Sequence, residues 1–241
     1  MNTSYKIEDH LFRSADAYAQ GKYDITTRWL RPRIRAGQLL VNVGCGGGEY
    51  NATARALGLR VIACEPDPAA FALAEQAASP DIDVRCCGLM DLVGTVPPAD
   101  VLVMHDVLEH IADDTRAVAA VRDLLAPGGI AIISVPAYQW LYGVHDVELG
   151  HYRRYTRGRL LALFRDAFVI EASRYYGAAM IPVALWFSRI TKRPYPLAAA
   201  SRGIGHAAVT TICQLESRLP LPVGTSVLVR VRKMRGTHDA P

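Results

Sequence analysis

The chain has 241 residues, 51% of them hydrophobic and 21% charged, a globular composition that excludes disordered and fibrous classes. Its net charge of +4 hides an asymmetry: residues 1–150 hold 12 Lys+Arg against 19 Asp+Glu, and residues 151–241 hold 15 against 4. No apolar run reaches the roughly 20 residues of a membrane-spanning helix, since the longest, 175–188, is bounded by Arg174 and Arg189 and broken by Pro182.

In chain order, residues 9–35 read as helix with polar breaks, an N-terminal helical cap taken as 1–36. Leu39 to Val43 is a short apolar run ending in glycines, as a buried parallel strand would be. A helix over 50–57 stops at Gly58, and Arg60 to Cys64 is a second strand. Asp67-Pro68 reads as N-cap and first helical residue of a helix ending before Ser79-Pro80. Ile82 to Cys86 is a third strand and Val101 to Met104 a fourth. Asp114 is expected to cap a helix whose Val118, Val121, Leu124 and Leu125 share a face, before a fifth strand from Ile130 to Val135.

Strands alternating with helices at this spacing give an open, mostly parallel α/β sheet. Phe168 to Ala172 and Ser226 to Val231 read as closing antiparallel strands. The residues between them, 173–225, hold two helical stretches near 178–192 and 196–217. The apolar run Met180 to Ile190 reads as a buried helix. Residues 137–160 form an insertion placed to cover a substrate.

Gly44-Cys45-Gly46-Gly47-Gly48 sits where the first strand turns into a helix. Glycines there accept positive φ and let a ligand approach the backbone. Glu65 ends the second strand, where a carboxylate accepts from ribose hydroxyls. A dinucleotide fingerprint would need a glycine at Glu49, whose charge would repel a pyrophosphate. The spacing fits instead a nucleoside ligand whose carboxylate and ammonium meet the loop, which describes S-adenosylmethionine.

The chain resembles the class I S-adenosylmethionine-dependent methyltransferases over about Leu39 to Val135, through VNVGCGGG (41–48), Glu65, HDVLEHI (105–111) and LLAPGG (124–129). The stretch Leu108-Glu109-His110 is similar to the branch that includes ubiquinone-biosynthesis and many small-molecule methyltransferases. YGVHDVELGHYRRYT (142–156) and PVGTSVLVRVRK (222–233) look like a bacterial subgroup of it. The resemblance implies a Rossmann-like seven-stranded sheet in the order 3-2-1-4-5-7-6 within a single domain. It also implies that Gly44, Cys45, Gly46 and Gly48 meet the methionine side and that Glu65, beside Pro66, binds the ribose. Leu89 would flank adenine, and His105 and Asp106 would lie beside the methionine. Asn42 stands where the family usually has an acid, which weakens that link to the cofactor's amino group. No acid follows the third strand at the usual place, so adenine would use a backbone carbonyl or Asp91.

Methyl transfer needs a nucleophile held near the methyl carbon, water excluded and, for some acceptors, a proton removed. Candidate bases are His110, His145 and His151. His110 has the alternative of bracing its turn, and the other two, bracketing Asp146, the alternative of a loop clamp. Tyr142, Asp146, Arg153, Arg154 and Tyr155 are candidate substrate contacts, the arginines favouring an anionic acceptor. Tyr18 and Tyr23 are expected to close over the sulfonium.

No Cys/His spacing suggests zinc, so no metal is expected. Five cysteines leave one unpaired and the N-terminus has no secretory pattern, so reduced thiols and a cytoplasmic setting are expected. The leading reading is methyl transfer to O or N of a small molecule, sugar-linked or of natural-product type. Nucleic-acid methylation and a non-catalytic scaffold are the alternatives, with an NAD-dependent oxidoreductase further off. Peripheral membrane contact through 173–225 and a homodimer stay open.

Overall fold

A computed structural model describes residues 16–193 and 204–235. The first part of the expected cap (1–15) and the start of the second helical stretch (196–203) lie outside the described residues.

β1 (Leu39–Val43) is apolar apart from Asn42 and buried along its whole length, which puts it at the centre of the sheet. It pairs in parallel with β2 (Arg60–Cys64) and β4 (Ala99–His105). β3 (Ile82–Arg85) joins β2, and β5 (Leu125–Pro136) joins β4, both in parallel. β7 (Ser226–Lys233) runs antiparallel between β5 and β6 (Phe168–Tyr176). The order is β3-β2-β1-β4-β5-β7-β6, as the sequence reading expected.

Alternation along the strands divides the core into two layers. Val41, Val43, Leu102, Met104 and Ile133 face one side with Val118, Val121 and Leu124 of α5 (Asp114–Leu124). α7 (Arg157–Phe164) adds Leu160 and Phe164 to that layer, and the short α4 (Leu89–Leu92) adds Leu89 and Leu92. Leu40, Val61, Val101, Val103 and Ile132 face the other side, with Leu30 of α1 (Ala17–Leu30) and Tyr50 and Ala54 of α2 (Glu49–Ala56).

The capping chemistry of α3 (Pro68–Ala77) is as expected: the Asp67 carboxylate accepts from the amides of Ala69 at 2.9 Å and Ala70 at 3.1 Å. The cap of α5 is one residue earlier than expected. Asp113 accepts from the Arg116 amide at 2.9 Å, and Asp114 is the first helical residue.

β6 extends to Tyr176, so the segment before β7 is shorter than the sequence suggested. It holds α8 (Ile181–Leu185), a wider helical turn over Trp186–Thr191, and α9 (Ile204–Arg218). The expectation of a buried helix over Met180 to Ile190 is overturned: Val183, Trp186 and Ile190 are exposed, and Ala184 is buried. Apolar composition all round does not bury a helix that has a partner on only one face.

α1 is fastened at several points. The Tyr18 hydroxyl lies 2.7 Å from Thr225 Oγ1 and 2.7 Å from Ser226 Oγ. Arg28 donates to the Ser217 carbonyl, and Arg230 donates to the Trp29 carbonyl at 2.9 Å. Gly21 lets Tyr176 pass beneath the helix, since a Cβ there would stand 1.9 Å from the Tyr176 hydroxyl oxygen. Helix propensity alone would make Gly21→Ala stabilising by about 1 kcal/mol. Overpacking against Tyr176 reverses the sign, and denaturant unfolding should show a loss of about 1–3 kcal/mol.

Candidate active site

The turn after β1 carries Gly44 at φ +64°, Gly46 at φ +57° and Gly48 at φ +87°. A side chain at Gly44 would be strained by its φ, and its Cβ would lie 2.4 Å from Val107 Cγ2. The turn is held from β2: the Cys45 amide donates to the Cys64 carbonyl at 2.9 Å, and the Gly46 amide to Glu65 Oε2 at 2.9 Å. Glu65 Oε1 accepts from the Asp67 amide at 3.0 Å. The buried Glu65 carboxylate thus joins the glycine turn to the start of α3.

Asn42 donates to Asn51 Oδ1 at 2.8 Å, tying β1 to α2. Pro66 is exposed beside Glu65. Leu89 is buried in the core at the start of α4, where the Asp91 carboxylate accepts from the Gly88 amide at 2.9 Å. Burial pushes the Cys64 thiol up to about 12 and raises the Cys45 thiol as well, so neither supplies a thiolate nucleophile at neutral pH. All five cysteines are free thiols.

At the end of β4, His105 is buried between the rings of Tyr23 and Tyr50, centroids 5.1 and 5.2 Å away, with Nε2 2.9 Å from Thr26 Oγ1. Asp106 has φ +54°, forms an ion pair with the buried Lys22 of α1 and accepts from Ser134 Oγ at 3.1 Å. Lys22 Nζ also stands 4.8 Å from the centre of the Tyr18 ring. Tyr18 therefore already faces a cation of the chain itself, and Tyr23 packs in the core. At the end of β5, Tyr138 has φ +62° and stacks between Trp140 and Tyr175, at 5.4 and 5.2 Å. Backbone in this region costs free energy and concentrates at functional sites. Asp106 and Tyr138 bring it to the carboxyl ends of adjacent strands.

The segment after β5 is a loop sewn to the sheet at both ends. The Tyr155 amide donates to the Pro136 carbonyl at 2.9 Å, and the Tyr138 amide to the Tyr155 carbonyl at 2.8 Å. Within it, α6 (Val144–Leu149) ends at Gly150, whose φ of +77° turns the chain back so that the His151 amide reaches the Asp146 carbonyl at 2.8 Å. The Asp146 side chain is fully buried. Its Oδ1 meets His151 Nδ1 at 2.8 Å and Arg154 Nε at 2.8 Å, and its Oδ2 accepts from Arg154 Nη2 at 2.9 Å and the Gly143 amide at 2.9 Å. Burial works to raise its pKa, but the His151 hydrogen bond and the Arg154 charge outweigh it and hold the carboxyl at about 2.

The same segment is stitched to the turn after β4. The Tyr152 amide donates to the Glu109 carbonyl at 2.8 Å. Arg153 donates to the carbonyls of Ile111 at 3.0 Å and Ala112 at 2.6 Å and pairs with Asp114 at 3.1 Å. Tyr155 is buried and donates to Asp114 Oδ2 at 3.1 Å, while the Tyr142 hydroxyl donates to the His151 carbonyl at 2.7 Å. Arg153, Arg154 and Tyr155, expected at an anionic substrate, are engaged by protein groups that position the loop.

The three candidate histidines come together. The rings of His110 and His151 are 4.5 Å apart and perpendicular, and that of His145 is 6.4 Å from His151. Glu109 joins them: a ligand atom from each of Glu109, His110 and His151 lies within 4.8 Å of the others. The sequence reading assigned no site role to Glu109, Lys22 or Tyr138. The stitching that gathers these residues runs through backbone carbonyls, which leave no sequence signal. Two surface depressions, one beside Arg55, Gly58 and Asp81 and one beside Arg33, Asp100 and Gly128, lie at the other ends of the strands, where open α/β sheets do not bind ligands.

Residues 41–133 match the family model described as a methyltransferase domain. An uncharacterized methyltransferase of Mycobacterium marinum is 28% identical over 164 residues, covering 66% of this chain and 63% of that protein. The chain thus spans less than two thirds of that relative's length. A ubiquinone biosynthesis O-methyltransferase of a Methylobacterium species is 35% identical over 105 residues, 42% of each chain. Among solved structures, the N-methyltransferase NodS of Bradyrhizobium japonicum, in complex with S-adenosyl-L-homocysteine, shares the fold with a TM-score of 0.59 at 14% identity, covering 90% of this chain and 87% of that one. Residues 41–133 are thus similar to a methyltransferase domain, and the strand order and glycine turn are of the fold shared with that solved structure.

Arg154→Met would leave Asp146 buried without its strongest partner. Urea denaturation should show a loss of about 3–5 kcal/mol, the usual cost of removing one member of a buried pair. A loss under about 1 kcal/mol would place the pair at the exposed limit.

Proposed function

We propose that the chain transfers a methyl group from S-adenosylmethionine to an oxygen or nitrogen of a small-molecule acceptor. The observation that carries this reading is the Glu65 carboxylate, held against the glycine turn by the Gly46 amide. The Gly46 amide on one oxygen and the Asp67 amide on the other fix this carboxylate at the end of β2, the place from which a strand-end acid accepts from ribose hydroxyls in nucleoside-binding α/β sheets. When bound, the cofactor supplies a sulfonium methyl open to in-line displacement.

The chain's own residues hold and orient. The amides of the 44–48 turn meet the methionine end, and Asp106, fixed by Lys22 and Ser134, presents a carboxylate edge nearby. Gly88 and Leu89 flank the adenine side through backbone. The 142–155 loop excludes water and brings His145 and His151 beside His110 of the turn after β4 on the acceptor side, with the His151 ring fixed by Asp146. The curated relative that methylates oxygen in ubiquinone biosynthesis supports a small-molecule acceptor. An anionic acceptor loses its support, because Arg153 and Arg154 are engaged within the loop.

Calorimetric titration with S-adenosylhomocysteine tests the reading. One site per chain is expected, and Glu65→Ala should weaken it by about 1–3 kcal/mol, the cost of a hydrogen bond to a charged group. No heat of binding would sink the enzymatic reading in favour of a scaffold. Saturable binding of NADH in its place would favour the oxidoreductase.

A further inference from the structure

The cluster of Glu109, His110 and His151 has the chemistry of a cation seat. Two imidazoles and a carboxylate form a donor set suited to borderline divalent metals, and three protein donors leave a coordination position for another ligand. The three donor atoms lie within 4.8 Å of one another, and side-chain shifts on the order of 1 Å would close them to the spacing of donors with bonds of roughly 2 Å to one ion. Glu109 is wholly buried, and a carboxylate in that setting is stabilised by positive charge beside it.

A second observation points the same way. His151 Nδ1 is engaged by the Asp146 carboxylate at 2.8 Å, which directs Nε2 as the remaining ring nitrogen. A carboxylate behind a histidine fixes its tautomer, orients its ring and raises its basicity toward a metal. Asp146 is in turn locked by Arg154 and the Gly143 amide, so this support is rigid. His110, exposed on the solvent side, gives an ion a route in. The backbone bond from Tyr152 to Glu109 and the Arg153 bonds to Ile111 and Ala112 hold the two halves of the cluster in register.

We propose that Glu109, His110 and His151 bind one divalent transition-metal ion of the zinc type, with the open position facing the acceptor. The ion would take an oxygen or nitrogen of the acceptor as its further ligand, fixing the nucleophile under the 142–155 loop. The expectation of no metal rested on chain spacing, which cannot show donors joined only by folding. This inference deepens the methyl-transfer reading in its assignment of the acceptor, but the ion seat stands or falls separately.

The test is titration of Zn²⁺ alone into the chelator-treated full chain, without cofactor, followed by Co²⁺ absorption spectroscopy. Wild type should bind one equivalent tightly and give the intense visible bands of low-coordinate Co²⁺. His110→Ala changes an exposed side chain, and it should keep the wild-type circular dichroism while losing at least tenfold in Zn²⁺ affinity together with the Co²⁺ bands. Glu109→Gln, which keeps the shape of the buried group, should weaken Zn²⁺ similarly. No stoichiometric binding by wild type, or an affinity unchanged in a folded His110→Ala, overturns the proposal. Zn²⁺ binding with no heat from S-adenosylhomocysteine would keep the ion seat and remove the methyltransferase reading. The converse would remove only the seat.

Discussion

The hydrogen bond from the Gly46 amide to Glu65 is the constraint on which the site depends. It joins the turn after β1 to the end of β2, so that the backbone amides of the loop and a carboxylate face the same space. The bond forms only because Gly44, Gly46 and Gly48 accept positive φ, and because β1 and β2 run parallel in a register pairing Val43 with Cys64. Without the parallel register, the loop and the acid would end at different heights.

A second layer of organisation hangs on that frame. Lys22 crosses from α1 to Asp106, bringing the helical cap down on the end of β4. The loop after β5 comes down from the other direction, fixed to Pro136 and Tyr138 at its base and to Glu109, Ile111 and Ala112 at its far side. Both attachments end on the turn that follows β4. That turn is therefore where cap, sheet and loop meet, and where the titratable groups gather.

Much of this was legible in the sequence. The apolar runs from Leu39 and Val101, the glycine turn and the Asp67-Pro68 cap are local signals, and each matches an element of the structure. The placement of Glu65 followed from its position at a strand end. Less legible was anything decided by a distant partner. Arg153 and Arg154 look like anion-binding arginines in a linear reading, yet one meets backbone carbonyls and Asp114, and the other meets Asp146. Met180 to Ile190 is as apolar as a buried helix, but burial depends on what packs against it. Whether Asp113 or Asp114 caps α5 turns on one residue of backbone geometry that composition does not record.

A crystal structure of the chain with S-adenosylhomocysteine addresses the central claim most directly. The account expects the ribose hydroxyls on the two Glu65 oxygens, the amino-acid end along Gly44 to Gly48, and the sulfur directed toward His110 and His151. A ligand lodged at the other ends of the strands, or one whose sulfur points away from the histidines, would contradict it.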